Sequence, residues 1–501
     1  MIVCDLTGLA ALSNFDRALG ESDSDDIHRI CHNDRRGSLG CCVSYALPIL
    51  PACALYLVAS SVLSVDFFKF DIGGVTLSVA RLLLVGMIAG FALRQWHSRE
   101  RRWALTSSDL ITLMFLLVVC ASTFTHDWSP SRSGLVPIIP RLINAFLIPF
   151  MLYVMARYSV HDERQARWFY FIIATFGVYL TITACCEILG AWSFVYPKYI
   201  VNPKLGIHFG RARGSFLQSI RLGIYLTAGL AAIWIPLLWQ GILGRSGRLF
   251  GLLLSVLMLV ALYLTYTRSV WIGVVLGGLT VSLLTFTMRW RRLVIVGFVC
   301  SVVMVAIFAG DGLLKFKREF TEAETLKSTQ MRTVFAIVSW EMFQDRPLFG
   351  HGFGQFMIEN RPYLNDRSYD VDLQMIRSYT HHNTFLSVLV EMGLVGLVLY
   401  LAMLSAWARS AWKLWRDQSQ ADWTRGLSLF FVVVWGTMLI QGLFHEVSYS
   451  PVEHGLLFLV GGVVTSLRAK QPLGSTANWG PLWRWCHMTT TGWLQRRGYS
   501  T

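Results

Sequence analysis

Long apolar stretches separated by short polar segments recur along almost the whole chain. Twelve of them approach or exceed the length that a helix needs to cross a hydrocarbon core ~30 Å thick, and they lie at about residues 42–64, 75–93, 105–123, 137–157, 168–188, 215–240, 249–266, 270–287, 293–309, 384–406, 427–444 and 453–467. The pattern predicts an all-α polytopic membrane protein with about twelve transmembrane helices and one large, partly helical outer loop.

The same pattern divides the chain into five parts. Residues 1–40 form a polar tail, 41–309 hold nine transmembrane helices, 310–383 form the long loop, 384–467 hold three more helices and 468–501 form a second tail. In the long loop, the segment from Thr333 to Phe343 has helical apolar spacing, and glycine-rich turn residues follow from Asp345. We therefore expect this loop to be folded.

Basic residues are concentrated in alternate short connections between the apolar stretches. The first of these connections holds Arg94, Arg99, Arg101 and Arg102. The predicted tail after the twelfth span begins with Arg468 and Lys470 in the same pattern. Because loops rich in Lys and Arg stay in the cytoplasm, both termini are predicted to be cytoplasmic and the long loop to face outward. The first 40 residues lack the layout of a cleavable signal peptide.

Composition is consistent with an integral membrane protein. Hydrophobic residues make up 54% of the 501 residues and charged residues 15%. A net charge of +14 would suggest nucleic-acid binding in a soluble chain, but topology explains most of the cations here, so no nucleic-acid partner is expected. The ten cysteines form no C-x-x-C pair, which argues against a disulfide framework and a zinc site.

Six arginines lie toward the predicted outer side, where the positive-inside rule does not place them. Arg81 stands about six residues into the second span and Arg221 about two turns into the sixth, and the other four are Arg141, Arg211, Arg213 and Arg268. Snorkelling toward lipid phosphates explains any one of them. Six together favour an anion site, for which a lipid-linked diphosphate is the natural ligand because guanidinium groups bind phosphate oxygens bidentately.

A polar cluster stands where the long loop meets the tenth span. It consists of His381, His382 and Asn383. An imidazole accepts a proton near neutral pH, although polar residues at a helix start also serve simply as caps. The nearby glycines from Gly350 could bind phosphate, but a nucleotide P-loop is excluded because no G-K-[ST] ending follows them.

Four stretches in this order resemble the signature region of the O-antigen ligase and O-antigen polymerase superfamily. They read R-T-V-F-A-I-V-S-W from Arg332, P-L-F-G-H-G-F-G-Q-F from Pro347, H-N-T-F-L from His382 and E-M-G-L-V-G-L from Glu391. The register of the third stretch favours His382 over His381 and leaves its neighbour open.

Two upstream stretches are similar to further segments of that superfamily. R-A-R-G-S-F from Arg211 resembles its R-x-x-G-T-F segment, and L-T-Y-T-R-S-V-W from Leu264 resembles its T-x-S-R segment. The Pro-Asn pair that often follows the first segment is absent, and Thr267 replaces a serine in the second. These departures leave the subfamily, and hence the acceptor, open.

The resemblance implies a glycosyltransferase of lipopolysaccharide or exopolysaccharide biosynthesis in the cell inner membrane. It would move a glycan from a polyprenyl (undecaprenyl) diphosphate to an acceptor hydroxyl on the periplasmic face. Arg211 and Arg268 would clamp the diphosphate, His382 would be the general base, and Asn383 would orient it or the sugar. The other candidate substrate-binding residues are Arg81, Arg141, Arg213, Arg221 and Arg332.

No cofactor is expected, and the reaction should be metal-independent, with arginines supplying the positive charge at the diphosphate. Direct displacement should invert the anomeric carbon. The acceptor is a sugar of the lipid A core, a second lipid-linked repeat or a protein hydroxyl. A transporter of lipid-linked oligosaccharide is the alternative, but transporters usually have symmetric halves, whereas one long loop dominates this chain.

Overall fold

The computed structural model describes residues 48–63, 69–72, 75–97, 105–126, 137–159, 161–207, 209–238, 245–296, 322–377 and 379–469. Its main elements are α1 (Ile49–Val62), β1 (Lys69–Ile72), β2 (Val75–Ser78), α2 (Val79–His97), α3 (Ser107–Phe124), α4 (Ile138–Leu142), α5 (Ile148–Arg157), α6 (Glu163–Ile188), α7 (Ser219–Leu238), α8 (Arg245–Leu264), α9 (Arg268–Thr285), α10 (Glu322–Asp345), α11 (Phe356–Glu359), α12 (Thr384–Arg416), α13 (Asp422–Phe444) and α14 (Pro451–Arg468). A π-helical turn, Ile143–Leu147, joins α4 to α5.

The described residues contain nine helical segments that are long and apolar enough to cross a membrane. They correspond to predicted spans two to eight, ten and eleven, so the hypothesis of a multi-pass helical protein is confirmed. The 14-residue helix α1 and helix α14 occupy the first and twelfth positions but are not among the nine. Most of the ninth predicted span, the first predicted tail and nearly all of the second lie outside the described residues, and the total of twelve stays a prediction.

Helix α14 lies at the centre of the bundle. Residues 452–466 are all buried, and the helix packs against α5, α12 and α13. A Cβ atom on Gly461 would lie 2.7 Å from the Trp407 ring, so the glycine permits this close approach. Because protein surrounds α14 in place of lipid, the helix carries Glu453 and His454 in its first turn without exposing them to hydrocarbon.

The second span begins later than predicted. Strands β1 and β2 form an antiparallel hairpin with Lys69 opposite Ser78, and α2 begins only after it. Arg81 therefore lies in the first turn of α2 and not six residues into a span. The hairpin is also an exception to the all-α fold class.

The sixth span likewise begins later than predicted. Leu217 adopts a positive φ of 54° at the end of a short 3-10 turn, and α7 starts at Ser219. Arg221 is consequently in the first turn of α7, whereas the sequence placed it two turns inside the membrane.

The described part of the long loop has its own hydrophobic core. Helix α10 packs against α12 and begins at Glu322, eleven residues before the predicted helical segment. The core consists of Val334, Phe335, Val338, Met342, Phe356, Leu364, Leu373, Ile376 and Val390. This packing positions one face of α10 beside the start of α12, where the predicted base lies.

Candidate active site

Residues at the end of α13 bond to two segments that the sequence analysis treated separately, the start of α12 and the start of α9. The Asn383 side-chain amide donates to the Leu443 carbonyl at 3.0 Å. On the other side, Ser269 Oγ donates to Gln441 Oε1 at 2.8 Å and lies 3.2 Å from His445 Nε2. The chain neighbours of His382 and of Arg268 are thus both bonded to residues 441–445.

His382 lies partly exposed beside the start of α12. Its Nδ1 is 3.1 Å from the Thr380 carbonyl oxygen, and its ring stacks on Phe335 with centroids 5.0 Å apart. A carbonyl oxygen can only accept, so Nδ1 carries the proton and Nε2 of the neutral ring has the lone pair. This tautomer is the one that a proton acceptor at Nε2 requires.

His381 has a different environment although it is adjacent. Its side chain is buried in the core of the long loop, with its ring centroid 3.6 Å from that of Phe356. Burial lowers the pKa of His381 to about 3, because the charged form would lose its hydration. His381 therefore remains neutral and enclosed, and the geometry favours His382 as the base.

Asn383 is the N-cap of α12. Its Oδ1 accepts hydrogen bonds from the backbone N–H groups of Phe385 and Leu386, at 2.9 and 3.0 Å. Together with the bond to Leu443, these contacts engage both ends of the amide. The structure thus gives Asn383 a capping role, whereas the sequence placed it among the substrate-binding residues.

The two family-matched arginines lie on segments that are bonded to each other. Arg268 is the first residue of α9 and its side chain is exposed. Arg211 is partly buried, and the next residue, Ala212, donates its backbone N–H to the Leu264 carbonyl at 3.1 Å. Only the turn of residues 265–267 separates Leu264 from Arg268, so this bond holds both arginine-bearing segments together.

Arg213 is enclosed by protein. Its Nε donates to Glu187 Oε1 at 3.0 Å, and its two terminal nitrogens donate to the carbonyls of Leu205 and Ile200 at 2.7 and 2.9 Å. The side chains of Arg213 and Glu187 are 0% and 2% exposed. Arg213 therefore stabilises the loop before α7, whereas the sequence placed it among the substrate-binding residues.

We expect Arg213→Ala to destabilise the protein by about 3–5 kcal/mol, because it leaves the Glu187 carboxylate buried without its cation. Thermal unfolding in detergent measures this change. The matched control is Arg167→Ala, which breaks a largely exposed ion pair with Glu163 and should leave the midpoint nearly unchanged. An unaltered midpoint with weaker donor binding would instead assign Arg213 to the substrate.

Arg141 is also buried, at the position in α4 that the sequence predicted. Its guanidinium lies 4.8 Å from the centroid of the Tyr449 ring, and Nη1 donates to the Gly354 carbonyl at 3.4 Å. Tyr449 in turn donates from its hydroxyl to Glu391 Oε1 at 2.7 Å. Arg141 thus contacts the glycine-rich segment and joins it to the bundle.

The remaining three candidate arginines are at least partly exposed. Arg221 Nε lies 3.4 Å from Glu453 Oε1, with 41% of its side chain exposed. Arg81 is exposed in the first turn of α2. Arg332, on α10, lies over the Phe444 ring at 5.7 Å, which places its guanidinium at the end of α13.

Sequence reasoning missed the link between α13 and α14, residues 445–450. It reads H-E-V-S-Y-S, and this run of polar residues between two apolar spans was the available signal. His445 lies against Ser269, as described above, and Glu446 Oε1 accepts hydrogen bonds from Ser448 and from Thr384 Oγ1. Burial raises the pKa of Glu446 above its usual range.

The suggestion that the glycines after Pro347 bind phosphate is not supported by their backbone contacts. The backbone N–H groups of His351 and Gly352 donate to the carbonyls of Val390 and Glu391, each at 2.9 Å. These bonds occupy donors that a phosphate would need. We call residues 347–354 the glycine turn. In the structure, the backbone of this turn docks on α12.

The described residues contain no group of three or more His, Cys, Asp or Glu side chains placed to hold a metal ion.

Residues 253–401 match the family described as O-antigen ligase. The matched stretch runs from α8 into α12 and includes Arg268, Arg332, the glycine turn and His382, while Arg211 and His445 lie outside it. No curated protein matches the chain. The family match confirms the resemblance to the O-antigen ligase and polymerase superfamily that the motifs indicated.

Proposed function

From the match of residues 253–401 to the O-antigen ligase family, we propose that this membrane protein transfers a glycan from a polyprenyl diphosphate carrier to an acceptor hydroxyl. The transfer takes place on the periplasmic face of the inner membrane. The family supports a glycosyltransferase of the ligase or polymerase type, and the nine apolar helical segments among the described residues support an integral membrane location.

The observation that carries the proposal is the bonded junction at the end of α13. Ser269 and Asn383 are 114 positions apart in the chain, yet both bond to residues 441–445. The residues next to them, Arg268 and His382, are the two that the diphosphate and the acceptor would need. A cation and a base held on one rigid support can act on the two ends of the same displacement.

In the proposed mechanism, His382 Nε2 accepts the proton of the acceptor hydroxyl as its oxygen attacks the anomeric carbon. The bond from that carbon to the diphosphate oxygen breaks, and the diphosphate leaves on its lipid. Arg268 and Arg211 stabilise the charge that develops on the leaving group. A direct displacement of this kind inverts the anomeric carbon.

Two residues extend this arrangement. Arg332 lies over Phe444, and one turn further along α10 Phe335 stacks on His382, so α10 supplies both a cation and a support for the base. His445 bonds to Ser269 beside Arg268. We propose that Arg332 contacts the donor glycan or diphosphate and that His445 positions the start of α9.

Purified protein in lipid nanodiscs, given a defined polyprenyl diphosphate glycan and an acceptor, tests the proposal. A new glycosidic bond with release of polyprenyl diphosphate is the expected result. In proteoliposomes, movement of intact donor across the bilayer without any transferred product would instead identify the alternative, a transporter. Offering lipid A core, a second lipid-linked repeat and a hydroxyl-bearing peptide in separate reactions identifies the acceptor.

The same assay tests whether a metal ion takes part. Because two or three guanidinium groups supply the positive charge in the proposed site, we expect transfer to continue at an unchanged rate in excess EDTA. A complete loss of activity that magnesium restores would show that a divalent cation neutralises the diphosphate.

A further inference from the structure

Helix α12 is much longer than the hydrocarbon core of a membrane is thick. Its 33 residues would extend ~50 Å, against a hydrocarbon core of ~30 Å. Gly393, with φ 65° and ψ −167°, breaks the helix. Counted from residue 406, the predicted inner end of the tenth span, thirteen residues lead back to Gly393, which is a rise of ~20 Å. The break therefore lies in the outer half of the hydrocarbon.

The glycine turn contacts α12 at this same level. The backbone N–H groups of Leu394 and Val395 donate to the carbonyls of Pro347 and Leu348 at 2.8 and 3.2 Å. A Cβ atom on Gly393 would lie 2.3 Å from the Leu348 carbonyl, so the contact is between backbones. The first N–H groups of a helix need acceptors, and at membrane depth only protein can supply them.

The tip of the turn nevertheless exposes its own side chains. Leu348 and Phe349 are 57% and 67% exposed. On α12, just beyond the contact, Leu394 and Val398 are exposed to 45% and 54% and belong to an apolar span. The exposed apolar surface of the turn is thus continuous with the part of α12 that faces lipid.

We propose that Leu348 and Phe349 insert into the outer leaflet of the bilayer and anchor the folded long loop to the membrane surface. Leu and Phe are among the side chains that insert favourably into a bilayer, and interfacial segments bury such residues ~5–10 Å into the boundary between headgroups and acyl chains. The backbone bonds to Leu394 and Val395 hold the tip at that depth. The anchor keeps α10, which carries Arg332 and Phe335, at a constant height relative to lipid-linked substrates.

Photo-crosslinking tests this proposal without reference to transfer activity. Benzoylphenylalanine replaces Phe349 in the full chain, which is reconstituted in nanodiscs of phosphatidylethanolamine and phosphatidylglycerol and irradiated. Mass spectrometry of the protein then counts covalent lipid adducts. The matched control carries the same residue at Tyr369, an exposed aromatic of the same loop whose hydroxyl bonds to Glu341.

Lipid adducts at position 349 should exceed those at position 369 several-fold. Equal, low adduct levels at both positions would overturn the proposal, since the tip would then lie in water. Crosslinks from position 349 to another segment of this chain or to a second copy would also overturn it, because protein and not lipid would cover the tip. A several-fold excess of lipid adducts at position 349 would support the membrane anchor whether or not the protein transfers glycans.

Discussion

His382→Ala should lower the rate of glycan transfer by at least about 100-fold, the low end of what a general base contributes. The substitution removes the imidazole and, with it, the Nε2 lone pair that would accept the proton. Thr380 and Phe335, which contact the ring, remain in place. Binding of the polyprenyl diphosphate should survive, because the base acts on the acceptor. Steady-state kinetics with a defined donor, together with a separate donor-binding measurement, give both quantities.

The matched control for this experiment is His381→Phe. That substitution retains an aromatic ring against Phe356 in the core of the long loop, so folding and most of the activity should be kept. Added imidazole should partly restore the rate of His382→Ala, since the exposed site leaves room for it; a structural role would not give this rescue. A His382→Ala variant that kept more than about a tenth of the activity would remove the general base from the mechanism.

Arg268→Lys and Arg211→Lys should each lose most of the transfer activity although the charge is retained. Lysine lacks the planar fork that binds two phosphate oxygens at once. By analogy with the loss of one oxyanion donor, each change should cost about 2–4 kcal/mol of transition-state stabilisation. The measurement is kcat/KM with a defined donor.

Arg367→Lys is the control for the arginine pair. Arg367 is an exposed residue of the long loop, so its substitution by lysine should leave kcat/KM unchanged. Arg132, which the sequence alone would offer for this purpose, lies outside the described residues. Near-normal rates for both Arg268→Lys and Arg211→Lys would mean that these residues bind bulk lipid or set the topology, and the diphosphate clamp would be wrong.

The site could be predicted to the extent that its residues lie within recognisable motifs. His382 and Arg268 were both identified from short sequence segments, and the family match covers both positions. His445 was not identified, because its role depends on a hydrogen bond to Ser269, 176 residues earlier in the chain. One sequence contains no local signal for such a contact.

The glycine turn and the fourth stretch, E-M-G-L-V-G-L, show the same division. Both were recognised as parts of the signature region, and phosphate binding was one explanation for the glycines of the turn. The structure shows that Gly393 and Gly350 allow two backbones to meet: a Cβ atom on either would lie 2.7 Å or less from the other segment. The positive φ of Gly350 was predictable as turn chemistry, but its partner was not, and no break was predicted at Gly393, which lies inside the predicted tenth span.

The sequence by itself determined that this chain is a multi-pass helical membrane protein, and its motifs indicated the resemblance to the O-antigen ligase family that residues 253–401 match. Hydropathy and motifs are both local properties of the chain, and hydropathy predicts spans well because charge is costly to bury in hydrocarbon. Only the tertiary structure decided which of the candidate arginines are enclosed by protein and which are exposed. Arg213 and Glu187 form a buried pair, while Arg268 remains exposed beside the end of α13. In sequence both are simply arginines near a span, and the difference comes from Glu187, which folding brings to 3.0 Å from Arg213.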